Sequence, residues 1–254
     1  MPKSLKDKVI WITGAGTGIG QAAAVALAQN GANVVLSGRR MEQLQKTADR
    51  VTSSGGCASL EVLDVTDSLS IHAVVDRIVS RHGRLDTLVN NAGTNIIERH
   101  WSRVTPEKWN EVIDIDLSGA FYCASAVLPI MRKQKDGLII NVSSWAGRFY
   151  THLTGPAYSA AKHGMMAMNA SINMEECING IRACAICPGE VWTPIMDRRP
   201  DQLGDDVKAK MLKSEDVGEA IAFVACLPKT VCINEMIISP TWNRGYIADL
   251  TPGT

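Results

Sequence analysis

The chain has 254 residues, 46% of them hydrophobic, with 26 Lys+Arg balanced by 26 Asp+Glu. That length and apolar content suffice for a buried core and one α/β domain, and they exclude a disordered chain. A net charge of zero supplies no general field for nucleic acid or an anionic membrane, so neither is expected as a partner.

The start, Met1-Pro-Lys-Ser-Leu-Lys-Asp-Lys8, is charged with no apolar region behind it. No apolar run approaches the ~20 residues needed to cross a bilayer, so a cytoplasmic location is expected. Residues 8–13 read as a buried strand that runs through a glycine loop into a helix over 19–30, which Gly31 ends as a C′ glycine. Further strands are expected at 33–37, 59–63, 87–90, 138–142, 181–186 and 236–239. Helices are expected between them, at 42–52, 69–82, 106–115, 119–132, 158–177 and 216–226. Short apolar strands alternating with helices predict a single-domain, Rossmann-like doubly wound parallel sheet of about seven strands, with helices on both faces. No linker or repeat divides residues 1–254. Residues 188–213, rich in Pro, Asp, Arg and Met and lacking a clear strand, read as a lid over a substrate site.

Seven cysteines stand at positions 57, 123, 177, 184, 187, 226 and 232, most of them in apolar stretches. Cys184 and Cys187 are three apart on a predicted strand and so point to opposite faces, and no second pair or histidine pair completes a zinc set. They read as buried free thiols in a reducing compartment, with no metal.

The first strand ends in Thr13-Gly-Ala-Gly-Thr-Gly-Ile-Gly20. Glycines between a strand and a helix let the backbone approach a pyrophosphate, and the helix N-terminus adds N–H groups and the positive end of a dipole. The pattern is G-x-x-x-G-x-G over Gly14, Gly18 and Gly20; Ile19 stands where the third glycine of G-x-G-x-x-G would be. On the first βα unit it points to a nucleotide rather than to a bare turn. Farther along, Tyr158 and Lys162 are four apart and share a helix face, with Ser143-Ser144 upstream. A phenol ionises near pH ~10, and a neighbouring cation favours its charged form, so this tyrosine is expected to exchange a proton near neutral pH.

Taken in order, these segments resemble the motif series of the short-chain dehydrogenase/reductase family over nearly the whole chain. They are Thr13 to Gly20, Leu63-Asp64-Val65, Asn90-Asn91-Ala92-Gly93, Asn141-Val-Ser-Ser144, Tyr158-x-x-x-Lys162, and Pro188-Gly189 leading to Thr193. The resemblance implies that Gly14, Thr17, Gly18, Ile19 and Gly20 wrap a nicotinamide dinucleotide's diphosphate. Asp64 and Val65 would meet its adenine, and Asn91, Ala92 and Gly93 would flank the adenosine and ribose. Pro188, Gly189, Val191 and Thr193 would seat the nicotinamide. Ser144 would bond the substrate oxygen, Tyr158 would be the general acid/base, and Lys162 would hold the ribose and depress the tyrosine pKa. Hydride transfer to a ketone develops alkoxide charge, which needs a donor and a proton source on one oxygen.

Two positions depart from the family pattern. Where the family carries a catalytic Asn ahead of Leu-x-Gly, this chain has Asp116. An aspartate keeps the backbone carbonyl that helps the family's Asn hold a relay water, but its charge opposes the lysine's effect on the tyrosine. Asp116 is either a member of the catalytic set or a locally packing helix residue. The second strand ends Leu36-Ser-Gly-Arg39-Arg40, without a carboxylate for a ribose 2′-hydroxyl and with Arg39 able to fork onto a 2′-phosphate. NADP(H) is therefore expected over NAD(H).

Family topology puts Asn95, Trp145, Tyr150, His152, Leu153, Trp192 and Met196 near the reacting carbon. The two indoles suggest a compact apolar pocket, or else belong to the core. Arg99 and Arg148 are either anchors for a substrate carboxylate or solvated surface arginines. The leading reading is interconversion of a small to medium ketone and a secondary alcohol. A 3-hydroxy-acid or hydroxy-amino-acid dehydrogenase is the rival, suggested by the ending Asn234-Glu-Met-Ile-Ile-Ser-Pro-Thr241. A 3-ketoacyl-carrier-protein reductase is weakened by Asn179, where those enzymes carry a basic residue. Only Asp116 points to a non-catalytic dinucleotide sensor. The helix at 158–177 is apolar around much of its circumference, and the resemblance implies pairing through it and the helix at 119–132 into a homotetramer or homodimer.

Overall fold

The computed structural model describes residues 4–200 and 203–250, the side chains of 248–250 excepted. Its strands are β1 (Val9–Thr13), β2 (Asn33–Gly38), β3 (Cys57–Val62), β4 (Thr87–Asn90), β5 (Gly137–Val142), β6 (Ile181–Pro188), β7 (Val191–Trp192), β8 (Leu212–Lys213) and β9 (Glu235–Ile238). Its helices are α1 (Gly18–Gln29), α2 (Met41–Ser53), α3 (Ser68–His82), α4 (Pro106–Ile113), α5 (Gly119–Gln134), α6 (Gly155–Glu176), α7 (Asp205–Lys208), α8 (Ser214–Ala225) and α9 (Arg244–Leu250).

Strand alternation decides which layer each residue joins. Ile10 and Ile12 of β1 pack with Leu27, Leu44 and Ile221 under α1, α2 and α8. Val9 and Trp11 point the other way, onto Val74, Val127 and Ile172 under α3, α5 and α6. Both faces are covered, which is why these strands read as nearly continuous apolar runs. Local signals start and stop the helices: Asp67 accepts from the amides of Leu69 and Ser70 to open α3, and Gly83 closes it in the left-handed region.

The sheet is parallel throughout, in the order β3-β2-β1-β4-β5-β6-β9. The chain moves outward from β1 to β3, then crosses back to place β4 on the other side of β1. From β1 the chain turns into α1 on one face and from β4 it leads on to α5 on the other, opening a crevice at the topological switch point.

Several sequence-based expectations need correction. The helix expected at 106–115 does not stop: a π-helical turn over Asp114–Ser118 joins α4 to α5 in one 29-residue helix. By length and composition that run could cross a bilayer, where the sequence reading found none; its buried side, including Cys123, Val127 and Met131, fills the core. Residues 188–213 are not strandless either. β7 and β8 pair in parallel, which satisfies backbone groups where the chain leaves the sheet and returns, and a 3₁₀ turn over Pro194–Arg198 and α7 lie between them. α6 begins at Gly155, so Tyr158 falls within its first turn.

All seven cysteines are free. Burial pushes the Cys123 and Cys184 thiols up to about 12 and that of Cys187 up to about 11. Cys57, Cys177 and Cys232 are exposed rather than buried, because they start an edge strand, follow α6, and lie in the loop before β9. The α5 and α6 faces on which the sequence puts self-pairing expose Phe121 and Met174.

Candidate active site

A cleft of about 430 Å³ opens at the switch point. Gly14, Thr17, Gly18 and Ile19 line one wall. Thr17 is the N-cap of α1 but makes no side-chain capping bond, so the amides of the first turn keep capacity for an anion. Gly20 sits below them because nothing larger fits: a Cβ there would lie 2.4 Å from Asn91 Nδ2 and 2.5 Å from the Gly14 carbonyl oxygen. Asn91 Nδ2 donates to the carbonyls of Thr13 (3.0 Å) and Gly14 (3.1 Å), while Thr13 Oγ1 accepts from the amides of Asn91 and Ala92 at 3.1 Å. These bonds tie the glycine loop to the end of β4.

Asp64, Val65, Asn91, Ala92 and Gly93 continue the lining, as do Arg39 and Arg40 at the far end. The Asp64 carboxylate is held by the amide and hydroxyl of Thr66, at 3.0 and 2.9 Å. Arg39 is exposed and makes no side-chain hydrogen bond or ion pair among the described residues. An open helix N-terminus for a diphosphate and a free arginine at the adenosine end fit an adenine dinucleotide.

The other end of the cleft is reached by Asp116, Tyr158, Lys162 and Thr193. Lys162 is 3% exposed, not a solvated helix lysine. Its Nζ donates to the Val142 carbonyl at 3.1 Å and lies 3.3 Å from Asp116 Oδ2 and 5.5 Å from the centre of the Tyr158 ring. Asp116 is fully buried on the π-helical turn, and its other oxygen accepts from the Thr94 amide at 2.7 Å. Extra turns of this kind cluster at functional sites. Burial raises the Asp116 carboxyl, against the pull of Lys162. Burial also works against the Lys162 charge, but the Asp116 carboxylate and Tyr158 outweigh it and hold the ammonium above its ordinary value.

The balance at Tyr158 reverses the expectation. Burial raises the phenol above its ordinary value of 10.0; Lys162, the Ser144 hydroxyl and Arg99 pull it down, while Asp116 pushes it further up. The sequence pairing of a cation with a phenol captured one of these effects and missed the larger one.

Among the other predicted residues, Ser144 Oγ accepts from the Ala146 amide at 3.1 Å beside the tyrosine, outside the cleft lining. Gly20, Pro188, Gly189 and Val191 also lie outside it, whereas Thr193 is on it. The expected substrate residues scatter. Asn95 is buried, with Nδ2 on the Thr154 carbonyl at 3.1 Å, and Met196 is buried. Trp145 packs against Phe149 and Tyr246. Tyr150 is 95% exposed and stacks on His163. His152 and Leu153 are exposed, and Trp192 lies exposed beneath Lys208 Nζ. Thr94 and Arg198, not singled out in the sequence, line the cleft and bond to each other at 2.8 Å. No local signal marks them, because their partnership spans more than a hundred positions.

A family model described as short chain dehydrogenase matches residues 8–204. The chain is 34% identical over 247 residues to an uncharacterised oxidoreductase of Staphylococcus saprophyticus, covering 94% of this chain and 98% of that one. It is 34% identical over 226 residues to a 3-oxoacyl-[acyl-carrier-protein] reductase of Thermotoga maritima, covering 87% and 91%. Among solved structures, levodione reductase superposes with a TM-score of 0.83 at 28% identity, over 92% of this chain and 95% of that one. A metagenomic short-chain oxidoreductase in complex with NADP gives 0.81 at 30% identity, over 94% and 99%.

Proposed function

The chain belongs to the short-chain dehydrogenase/reductase family of oxidoreductases, and from that premise we propose that it is an NADP(H)-dependent enzyme interconverting a ketone and a secondary alcohol, with Tyr158 as general acid/base. One observation carries the reading: the buried Lys162 ammonium, pinned between Asp116 and the Val142 carbonyl, shares one cleft with Tyr158 and the uncapped start of α1. When bound, the nicotinamide supplies or accepts the hydride. The first turn of α1 would hold the diphosphate, and Lys162 would bind the ribose while keeping a positive charge beside the phenol. Ser144 donates to the substrate oxygen, and Tyr158 gives that oxygen a proton during reduction or removes it during oxidation.

The unpaired Arg39, with no carboxylate at the end of β2, supports NADP(H) over NAD(H). Dissociation constants for NADPH and NADH, measured by quenching of tryptophan fluorescence, are expected to favour NADPH by about tenfold or more, the worth of one charge-assisted contact. Tighter NADH binding would refute the preference.

The raised phenol makes a prediction about pH. A tyrosine that keeps its proton through neutral pH is ready to act as an acid, so ketone reduction is expected to be level near neutrality and to fall on the alkaline side. Alcohol oxidation, which needs the phenolate, rises there instead. Asp116→Asn removes the charge that pushes the phenol up, so both limbs should move to lower pH with turnover retained. Unmoved limbs would show that Asp116 does not act on the tyrosine, and loss of turnover with the fold intact would show that it does more than an Asn in its place.

The likeness to an acyl-carrier-protein reductase favours a second reading, reduction of a carrier-bound 3-ketoacyl group. Next to Asn179, Lys135 donates to its Oδ1 at 3.1 Å and keeps its charge, whereas Arg132 close by is paired with Glu176. Comparing a carrier-bound 3-ketoacyl substrate with its free thioester analogue separates the two readings.

A further inference from the structure

Arg99, on the loop after β4, is only 5% exposed. Its Nε donates to the Ile96 carbonyl at 2.7 Å and one Nη to the Arg198 carbonyl, leaving Nη1 without a hydrogen bond among the described residues. Two carbonyls aim the fork but do not neutralise it, and no ion pair forms on Arg99 among the described residues. Apart from Tyr158, the charge acting on it has its own sign: Arg199 adds to the effect of burial in lowering the Arg99 pKa, while Arg199 itself is taken up by Glu190 at 2.8 Å. A buried cation in this state is costly unless an anion completes it.

Arg99 stands behind the lining of the cleft, and three features tie it to the reaction site. Gly155, three residues before Tyr158, packs so closely on it that a Cβ would fall 2.3 Å from the Arg99 carbonyl oxygen. The Arg99 charge acts on the Tyr158 phenol. Arg198, whose carbonyl orients the guanidinium, itself lines the cleft. Arg148, the other candidate anchor, is occupied by Glu235 at 3.0 Å.

We propose that Arg99 is the anion anchor of the substrate pocket and that the substrate carries a carboxylate, a keto acid reduced to a hydroxy acid. The proposal rests on the oxidoreductase reading of the same site. The substrate carboxylate stays intact on the guanidinium fork, while the separate ketone carbon takes the hydride of NADPH and the ketone oxygen takes the Tyr158 proton. Arg99 selects and positions the substrate and does not touch the reacting atoms.

The test needs no turnover. Pentanoate and pentanamide, equal in shape and different in charge, are titrated into the NADP⁺-loaded enzyme by calorimetry. Pentanoate is expected to bind at least about tenfold more tightly, the range of one charged hydrogen bond. Arg99→Gln should abolish that difference and Arg99→Lys should keep part of it. With keto acids and their methyl esters, Arg99→Gln should lower kcat/KM about 10- to 100-fold for the acids only, chiefly through KM. Equal affinity for the two probes in the unaltered enzyme, or an Arg99→Gln loss that is the same for acid and ester, would overturn the proposal. A carboxylate preference without NADPH oxidation on any ketone or keto acid would instead mark failure of the oxidoreductase reading.

Discussion

Tyr158→Phe is expected to lower turnover by about 10²- to 10⁴-fold, the usual worth of a positioned general acid/base. The change removes one oxygen and keeps the ring that packs with Ile96, Val112, Ala157 and Ala161 between α4 and α6. Stability should therefore shift by no more than about 0.5–1.5 kcal/mol, the net worth of one hydrogen bond. Cofactor affinity should hold within a few fold, since the first turn of α1, Arg39 and Lys162 are untouched. A loss confined to kcat, with NADPH binding preserved, is the signature of a group acting in the transition state. Full activity in the Phe variant would remove Tyr158 from the chemistry.

Lys162→Met should cost both stability and turnover. The pair with Asp116 is almost wholly buried, and among the described residues Asp116 Oδ2 has no hydrogen-bond partner besides this contact. Removing one member of such a pair leaves an orphaned charge and costs about 3–5 kcal/mol, which in a chain of this size lowers Tm by about 6–20 °C. Asp116→Asn in the same protein should recover most of the stability by removing the orphan, and none of the turnover, because the cation beside Tyr158 is still gone. That split separates the structural role of the pair from the catalytic role of the ammonium. An unchanged Tm in Lys162→Met would mean that the pair is not closed as described.

Much of the architecture was legible because the strands carry it. The expected strands at 33–37 and 181–186 differ from β2 and β6 only by one and two added residues, and 87–90 coincides with β4. The glycine loop, Asp64, Asn91 and the Tyr158–Lys162 spacing found the cleft for a similar reason: short patterns fix where a backbone turns and which face a side chain leaves. What sequence did not carry were quantities set by burial. Arg99 reads as either a carboxylate anchor or a surface arginine until its 5% exposure is known, and the phenol reads as depressed until the desolvation that outweighs Lys162 is known. The π-helical turn under Asp116 is likewise invisible, since one added residue in a helix leaves the apolar pattern on either side intact. The scattered aromatic residues show a third limit: Trp145 and Tyr150 are near Ser144 in sequence, yet they face Tyr246 and His163.

The most direct measurement is transfer of a label. The enzyme is incubated with NADPH deuterated at C4 of the nicotinamide and a panel of ketones and keto acids, and the products are examined by mass spectrometry. A secondary alcohol carrying deuterium on its carbinol carbon, formed by the unaltered enzyme and not by Tyr158→Phe, is the expected result. Tight NADPH binding with no deuterated product from any carbonyl compound would contradict it and mark the chain as a dinucleotide-binding protein without turnover.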